Sequence, residues 1–367
     1  MIEMNNILII SSEFPPGPGG IGNHAYCLAK ELLVNDNVHV IAPIRKRFSD
    51  SEVNFPSNRI SFISNKNKFV RLLNFCIVYK KIILKENINI IILSGIFPLI
   101  FINFLNKSGI KIISIIHGHE ILQTKNMFRM LLQRTLKLSS KIIAVSKFSK
   151  SLLVNRIKDI NVDVINNGFS PEIFERSKVK KSVINDICLV TVGSVHRRKG
   201  QHNVVKAIPN IKKTFKNISY HIIGIADQIN YLESVIDKCS VSDNVIIHGP
   251  LSDIEKVDRM IDSDIFIMLS EMQDDGDIEG FGIAIIEANY LGLPAIGAKG
   301  CGIEDAIKDN YSGILVNKNS YSDICNAIEK IMSNYEEFSI NAKRWAEKHK
   351  WDRVILAYNK HIKEIQE

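Results

Sequence analysis

Short runs of apolar, mostly β-branched residues recur along the chain and alternate with longer segments of helical spacing. In the first half these runs occupy residues 7–10, 38–43, 88–95, 111–119, 141–146 and 162–168. Runs that are apolar throughout, without alternating polar positions, are typical of parallel strands covered by helices on both faces. The pattern therefore predicts a doubly wound α/β domain over residues 1–170.

The same pattern restarts after a polar stretch, Phe169–Asp186, which we interpret as a linker. The later apolar runs occupy residues 187–194, 219–226, 244–249, 265–270, 294–299 and 313–316. The sequence thus predicts a second Rossmann-like domain, 171–346, that faces the first across a cleft. In such folds the ligand binds at the carboxyl ends of the strands. The tail around Trp351 also has helical spacing.

Composition is that of an ordinary globular protein with enough length for two domains. The chain has 367 residues, of which 46% are hydrophobic and 23% are charged. It contains no run of about 18 apolar residues that could span a membrane, and its first residues do not form a signal peptide. The six cysteines are scattered without a CxxC pair or a neighbouring histidine cluster, which favours a reducing cytosol and argues against structural zinc.

Charge is unevenly divided along the chain. The net charge is +8, but residues 1–170 carry +12 and the remainder carries −4. A basic half can face nucleic acid or an anionic membrane, and no RNP, zinc-finger or helix-turn-helix motif supports nucleic acid. In segments 66–85 and 127–141 the basic residues are interleaved with apolar ones. Each segment is either a helix in a membrane interface or a core-facing helix with a solvated lysine face.

The stretch EGFGIAIIEANYLGLP, Glu279 to Pro294, places two glutamates eight positions apart in an apolar setting. Gly280 and Gly282 indicate a loop followed by a helix that begins near Ile283. A helix N-terminus favours an anion such as phosphate, and two carboxylates beside it suit a ligand that also carries sugar hydroxyls. The other interpretation is a buried helix that tolerates one glutamate.

Three further loops have unusual composition for their positions after strands. FPPGPGGIG (14–22) could bring its backbone close to a phosphate, although it lacks a dinucleotide GxGxxG fingerprint. GSVHRRKG (193–200) groups three cations that would complement a pyrophosphate, or it is a solvated charge run. HGHE (117–120) follows a strand, so its first histidine either faces the cleft or is a core histidine bonded to backbone.

Taken together, these elements resemble glycosyltransferase family 4, the retaining nucleotide-sugar transferases with the GT-B fold. The resemblance rests on the E-x7-E element of Glu279 and Glu287 in its EGFGIAIIEA setting. It is supported in family order, over nearly the whole chain, by GGIG, HGHE, AVSKFS (144–149), VINNGFSPEIF (164–174), VGSVHRRKG and GCGIEDAI (300–307). It further implies that residues 347–367 form a terminal helix that returns to the first domain.

The resemblance also implies roles for individual residues. His117, Lys199 and Glu279 would be catalytic, with Lys199 neutralising the diphosphate leaving group and the other two contacting the donor sugar. Glu287 would bind the nucleotide ribose. The remaining donor-binding residues would be Gly19, Gly20, Arg197, Arg198, Phe281, Gly282 and Ile283. The family usually has arginine where this chain has Ser194, and either Arg197 or Arg198 would replace that cation.

No metal or other cofactor is expected, because GT-B enzymes do not need a metal to neutralise the leaving group. Asp275-Gly276-Asp277 nevertheless has the DxD spacing of metal-dependent transferases of another fold.

The expected activity is retaining transfer of a sugar from a nucleotide-diphosphate sugar to a lipid-linked glycan in bacterial surface polysaccharide synthesis. A UDP-sugar is the preferred donor and GDP-mannose remains open. The enzyme would be cytoplasmic and peripheral at the anionic inner face of the cell membrane. The alternative is a nucleotide-sugar 2-epimerase, which shares the architecture and needs no separate acceptor.

Overall fold

A computed structural model describes residues 4–15, 19–43, 55–56, 60–63, 68–105, 107–122, 126–175 and 186–367. Parts of two sequence elements, residues 16–18 of the glycine-rich loop and residues 176–185 of the expected linker, lie outside the described residues, as do residues 66–67. The chain divides into two compact units. The first comprises Met1–Gly168 with Trp351–Glu367, and the second comprises Phe169–Lys350.

The first unit is built on a seven-stranded sheet whose described strand pairs are all parallel. Its strands are β1 (Asn6–Ser11), β2 (Asn37–Pro43), β3 (Ile60–Ile63), β4 (Ile90–Ser94), β5 (Lys111–Ile116), β6 (Lys141–Ala144) and β7 (Asp163–Val164). The strand order is β3-β2-β1-β4-β5-β6-β7. The direction of winding therefore reverses between β1 and β4, which is where ligands bind in open α/β sheets.

The helices of the first unit that precede the second unit in sequence are α1 (Gly20–Leu32), α2 (Lys68–Glu86), α3 (Ile96–Phe101), α4 (His119–Leu122), α5 (Asn126–Leu138) and α6 (Lys147–Arg156). A 3-10 turn, Ile102–Phe104, extends α3. Helices α2, α3 and α5 share one core with the central strands, because Phe75, Leu99 and Leu132 belong to one buried apolar cluster. No described helix is both long enough and apolar enough to cross a membrane.

The second unit is built on a six-stranded parallel sheet of order β10-β9-β8-β11-β12-β13. Its strands are β8 (Asp186–Val192), β9 (Asn217–Ile223), β10 (Val245–Gly249), β11 (Ile265–Met268), β12 (Ala295–Ala298) and β13 (Gly313–Val316). Its helices are α7 (Gln201–Thr214), α8 (Ile229–Cys239), α9 (Asp253–Ile261), α10 (Ile283–Tyr290), α11 (Tyr321–Ser333) and α12 (Tyr335–Ala346). The winding here reverses between β8 and β11.

The last helix, α13 (Trp351–Glu364), belongs to the first unit although it follows the second in sequence. It packs on α1, where the hydroxyl of Tyr358 lies 3.0 Å from Nε2 of His24. The Trp351 ring packs against Gly168, where a Cβ would approach the ring to within 3 Å. The two parallel α/β sheets confirm the predicted fold class. The sequence pattern missed β3, a four-residue edge strand that contains a serine, because an edge strand needs no continuous apolar run.

Candidate active site

The loop after β8 is shaped by glycines and carries the clustered cations. Gly193 follows the last residue of the strand, a 3-10 turn spans Arg197–Lys199, and Gly200, with a left-handed φ of 75°, directly precedes α7. A Cβ on Gly200 would overlap the carbonyl oxygen of Leu269, just after β11. Only glycine lets these backbones meet. The two loops at the winding reversal of the second sheet are therefore in direct contact.

This contact brings together side chains about 80 positions apart in sequence. The Lys199 Nζ lies 2.7 Å from Oε2 of Glu279, and Arg198 donates a hydrogen bond to the same oxygen. Arg198 also donates through Nε to Oδ2 of Asp277 at 3.1 Å. The Lys199 and Glu279 side chains are only 14% and 13% exposed. Two cations thus converge on one largely buried carboxylate oxygen.

Electrostatics keep this carboxylate ionised. Burial by itself raises the pKa of Glu279, but Lys199 and Arg198 lower that pKa more strongly, to about 2. Both carboxylate neighbours in turn raise the pKa of Arg198 against the effect of its own burial. The loop therefore holds cations in a position where an entering anion could replace Glu279 as their partner.

The sequence EGFGI places an open helix N-terminus directly after Glu279. Gly282 adopts a left-handed φ of 86° and α10 begins at Ile283, without a side-chain cap. Within the described chain, the backbone N–H groups of residues 281–284 donate to no protein acceptor. Phe281 is 2% exposed and packs on His349, so its side chain serves the core while its amide remains available. Unsatisfied amides at a helix start attract phosphate.

Glu287 lies one turn inside α10 and is half-buried. Its carboxylate has no hydrogen-bond or ion-pair partner in the described part of the chain. Burial raises the pKa of Glu287, while Lys256 opposes that shift from a distance. A partly buried acceptor without a partner is costly unless a ligand satisfies it.

The two candidate arginines have different surroundings. The guanidinium of Arg197 stacks 3.9 Å from the ring centroid of Tyr231, and its backbone N–H donates to Gln228. Arg198, by contrast, joins Lys199 on Glu279. The Ser194 carbonyl accepts a hydrogen bond from the side chain of Gln201. The structure thus groups Arg198, and not Arg197, with the catalytic candidates of this unit.

His117 is placed in the first unit, after β5. Its Nε2 lies 2.9 Å from the Oγ of Ser94, at the end of β4, and its backbone N–H donates to the Glu120 carboxylate. The ring of His24 packs edge-on against it at 5.3 Å. Burial is the largest cause that lowers the pKa of His117, to about 3, so the imidazole is neutral at physiological pH.

Gly19 and Gly20 precede and begin α1, also in the first unit. Gly19 has a φ of 146°, and a Cβ there would overlap Oε2 of Glu13. A Cβ on Gly20 would have no neighbour within 4 Å among the described atoms. No sequence motif singles out Glu13, whose carboxylate lies against Gly19. Its position two residues after the end of β1 was the available signal.

Both carboxylates of the DxD element, Asp275 and Asp277, already bond to other groups of the protein. Asp277 pairs with Arg198 and also lies 3.8 Å from the Nδ1 of His196, while Asp275 accepts the backbone N–H of Asp277. In the described ranges, no three His, Cys, Asp or Glu residues are grouped so as to hold a metal ion. In the sequence Asp277 stands out only as half of the DxD metal motif, and its contact with Arg198 was not predicted.

Comparison with known proteins agrees with this architecture. The family model Glycosyltransferase Family 4 matches residues 18–173, and Glycosyl transferases group 1 matches residues 173–350. The chain is 22% identical over 354 residues to a GDP-mannose-dependent alpha-(1-6)-phosphatidylinositol monomannoside mannosyltransferase from Mycobacterium tuberculosis. That alignment covers 90% of this chain and 89% of the relative.

Two solved structures show the same fold. Sucrose-phosphate synthase from Thermosynechococcus elongatus superposes with a TM-score of 0.80 at 16% identity, covering 98% of this chain and 99% of that one. The Anabaena protein HepE, in complex with UDP and glucose, superposes with a TM-score of 0.77 at 17% identity, covering 98% and 100%. The two family matches and this fold together identify the chain as a glycosyltransferase of the GT-B class.

Proposed function

We propose that the protein is a retaining glycosyltransferase that uses a nucleotide-diphosphate sugar. The observation that carries this proposal is the pairing of Lys199 and Arg198 on Glu279, two residues before the first of the backbone N–H groups, 281–284, that have no acceptor among the described residues. Cations and helix-terminal N–H groups are the two devices that proteins use to bind phosphate. The oxygens of a bound diphosphate would replace the Glu279 carboxylate as the partner of both cations.

The proposed reaction transfers the anomeric carbon of the sugar from the leaving phosphate oxygen to an acceptor hydroxyl. As the bond to the phosphate breaks, its electron pair stays on the nucleoside diphosphate, whose added charge Lys199, Arg198 and the α10 amides stabilise. The acceptor hydroxyl attacks from the same face, and its proton passes to the departing phosphate oxygen. His117, neutral at physiological pH, would hydrogen-bond the sugar near its reacting carbon, and the loop at Gly19 and Gly20 would line the phosphate side.

The two glutamates of the E-x7-E element are assigned different parts of the donor. Glu287, an acceptor without a side-chain partner among the described residues, suits the paired hydroxyls of the ribose. Glu279, released from the cations by the diphosphate, would accept hydrogen bonds from the sugar. The amides of Phe281, Gly282 and Ile283 lie between them in sequence and would bind the phosphates.

This assignment of roles predicts different calorimetric results for two matched substitutions. Glu287→Gln should weaken binding of the free nucleoside diphosphate, because a charge-assisted hydrogen bond contributes about 1.5–3 kcal/mol and the amide keeps only part of it. Glu279→Gln should leave that binding intact or strengthen it, because the cations lose their competing carboxylate, while sugar transfer falls. Titration of both variants with UDP and with GDP measures the effect. Equal losses of affinity would contradict the assignment.

We further propose that the acceptor is a lipid-linked glycan of surface polysaccharide synthesis, reached from the cytoplasmic face of an anionic membrane. The M. tuberculosis relative is named for a phosphatidylinositol-linked acceptor and for GDP-mannose, whereas HepE was solved with UDP. Both donors therefore remain candidates, with UDP-sugars preferred. The basic first half of the chain supports an anionic surface.

The proposed chemistry requires no metal, because the cations on Glu279 supply the charge that a metal would otherwise supply. Transfer should consequently continue in the presence of a chelator, and Asp275→Asn, at an exposed site, should remain active. Donor turnover measured with and without EDTA tests this expectation. If EDTA abolished the activity and Mn²⁺ restored it, the reaction would depend on a metal and the DxD element would be its candidate site.

A further inference from the structure

One long stretch of the first unit is almost free of acidic side chains. Residues 68–158 carry 16 Lys and Arg but only two acidic residues, Glu86 and Glu120. Glu120 is fully buried and accepts hydrogen bonds from the backbone after β5. The exposed charge of this stretch is therefore strongly positive, which favours an anionic partner and opposes association with a second copy of the same surface.

An apolar groove opens on this stretch between α2 and the 3-10 turn that follows α3. Its volume is about 310 Å³, and the residues that line it are Leu72, Phe75, Cys76, Phe101, Phe104 and Leu105. Phe104 is 68% exposed, so the rim of the groove is apolar as well as its floor. A groove without polar lining offers a ligand no hydrogen bonds, which suits a hydrocarbon chain better than a peptide or a sugar.

The surface around the groove is also apolar. On α2, Leu73 and Ile77 are more than half exposed, four positions apart and so on one face of the helix. On α5, Met127 and Met130 are likewise exposed. Helix α5 is fixed beside the groove, because Asn103 in the 3-10 turn donates to the carbonyl of Leu131 on α5. Exposed apolar patches of this kind mark interaction sites.

Two cations, Lys107 and Arg134, lie beside this groove and have no acidic partner among the residues that the structure describes. The Lys107 Nζ donates to the carbonyl oxygens of Ile102 and Leu105, at 3.3 and 3.5 Å, so it lies directly on the segment that lines the groove. Burial and the nearby charge of Arg134 both lower the pKa of Lys107. In the described part of the chain neither side chain has a carboxylate partner. Two mutually repelling cations would be stabilised by a phosphate.

We propose that this groove binds a single anionic phospholipid, with a hydrocarbon chain between α2 and the 3-10 turn and the phosphate at Lys107 and Arg134. The exposed apolar side chains of α2 and α5 would then rest in the lipid surface. This inference rests on the proposed use of an acceptor at a membrane. It identifies the groove as the site where the first unit binds that membrane.

Cys76 makes the proposal testable in the unmodified protein. It lines the groove as a free, half-buried thiol, so a bound chain should shield it from a small alkylating reagent. Dioctanoyl phosphatidylglycerol, kept below its micelle concentration, should slow Cys76 alkylation about tenfold when present at ten times its dissociation constant. Cys239, a half-buried thiol of the second unit, should alkylate at an unchanged rate. Peptide mass spectrometry follows both thiols in one sample.

Paired variants separate the two parts of the site. Phe104→Ser, and the double variant Lys107→Gln with Arg134→Gln, should each weaken the protection at least several-fold. Leu356→Ser, an equally exposed leucine on α13, and Lys216→Gln with Lys238→Gln in the second unit should not. Dioctanoyl phosphatidylcholine should protect Cys76 less than the anionic lipid does, because its headgroup carries no net charge.

Several results would overturn the proposal. Equal protection of Cys76 and Cys239 would indicate non-specific binding, protection by inorganic phosphate alone would indicate a simple anion site, and protection that rises with protein concentration without lipid would indicate a second copy. Absence of protection at any lipid concentration would remove the lipid site. UDP and GDP titrations on the same preparation keep this outcome distinct from the glycosyltransferase proposal, which fails only if nucleotide binding or sugar transfer fails.

Discussion

Lys199→Ala should lower kcat by about 10²–10³ with the donor saturated, because it removes a cation that meets charge developing on the leaving diphosphate. The folded chain should tolerate the change comparatively well, since Arg198 continues to pair with the Glu279 carboxylate. Turnover measured at several donor concentrations distinguishes a loss in the transition state from simple weaker binding. Urea unfolding of the same variant gives its stability.

A second lysine of the same unit provides the control. Lys350 is similarly buried, at 20% side-chain exposure, and its side-chain partners are Glu347, at 2.8 Å, and the Tyr290 ring, neither of which belongs to the loop that carries Lys199. Lys350→Ala should remove an ion pair without affecting turnover. Wild-type kcat in Lys199→Ala, or an equal loss in both variants, would exclude Lys199 from the chemistry.

Gly200→Ala should cost roughly 2–5 kcal/mol of the free energy of unfolding and abolish most transfer activity. The left-handed backbone contributes about 1–2 kcal/mol, and the overlap of the new Cβ with the Leu269 carbonyl adds about 1–3 kcal/mol. Relief of that overlap would move the adjacent Lys199 away from Glu279. Chemical denaturation and donor turnover measure the two effects.

Gly249→Ala isolates the backbone part of this cost. Gly249 has nearly the same left-handed φ, 69° against 75°, but a Cβ there would meet no described atom within 4 Å. Its alanine variant should therefore lose only the backbone part and keep its activity. Comparable stability and activity losses in the two alanine variants would show that the Leu269 contact is unimportant.

Much of the fold follows from local pattern. The continuous apolar runs predicted all six strands of the second sheet, and the glycines of EGFG predicted a helix that begins at Ile283, as observed for α10. These features depend on residues that are adjacent in the chain. Backbone conformations such as the left-handed φ of Gly282 leave their own signature in residue type.

The arrangement of the site could be predicted only in part, because it depends on contacts between distant segments. The local sequence HRRK (196–199) does not indicate that Arg198 pairs with Glu279 while Arg197 stacks on Tyr231. Which arginine reaches Glu279 depends on the 3-10 turn and on the contact between Gly200 and the loop after β11. The bond between Ser94 and His117 likewise arises because β4 and β5 are neighbours in the sheet, a pairing that residue spacing does not encode.

The membership of α13 in the first unit has a consequence during protein synthesis. A ribosome completes all of residues 169–350 before it makes the helix that supplies Trp351 and Tyr358 to His24. Until α13 is made, the face of α1 that this helix covers stays exposed in the nascent first unit. The second unit is continuous in sequence and can fold as soon as it emerges. Because exposed apolar surface on such an intermediate promotes aggregation, this order leaves the first unit at risk of aggregation for longer than the second.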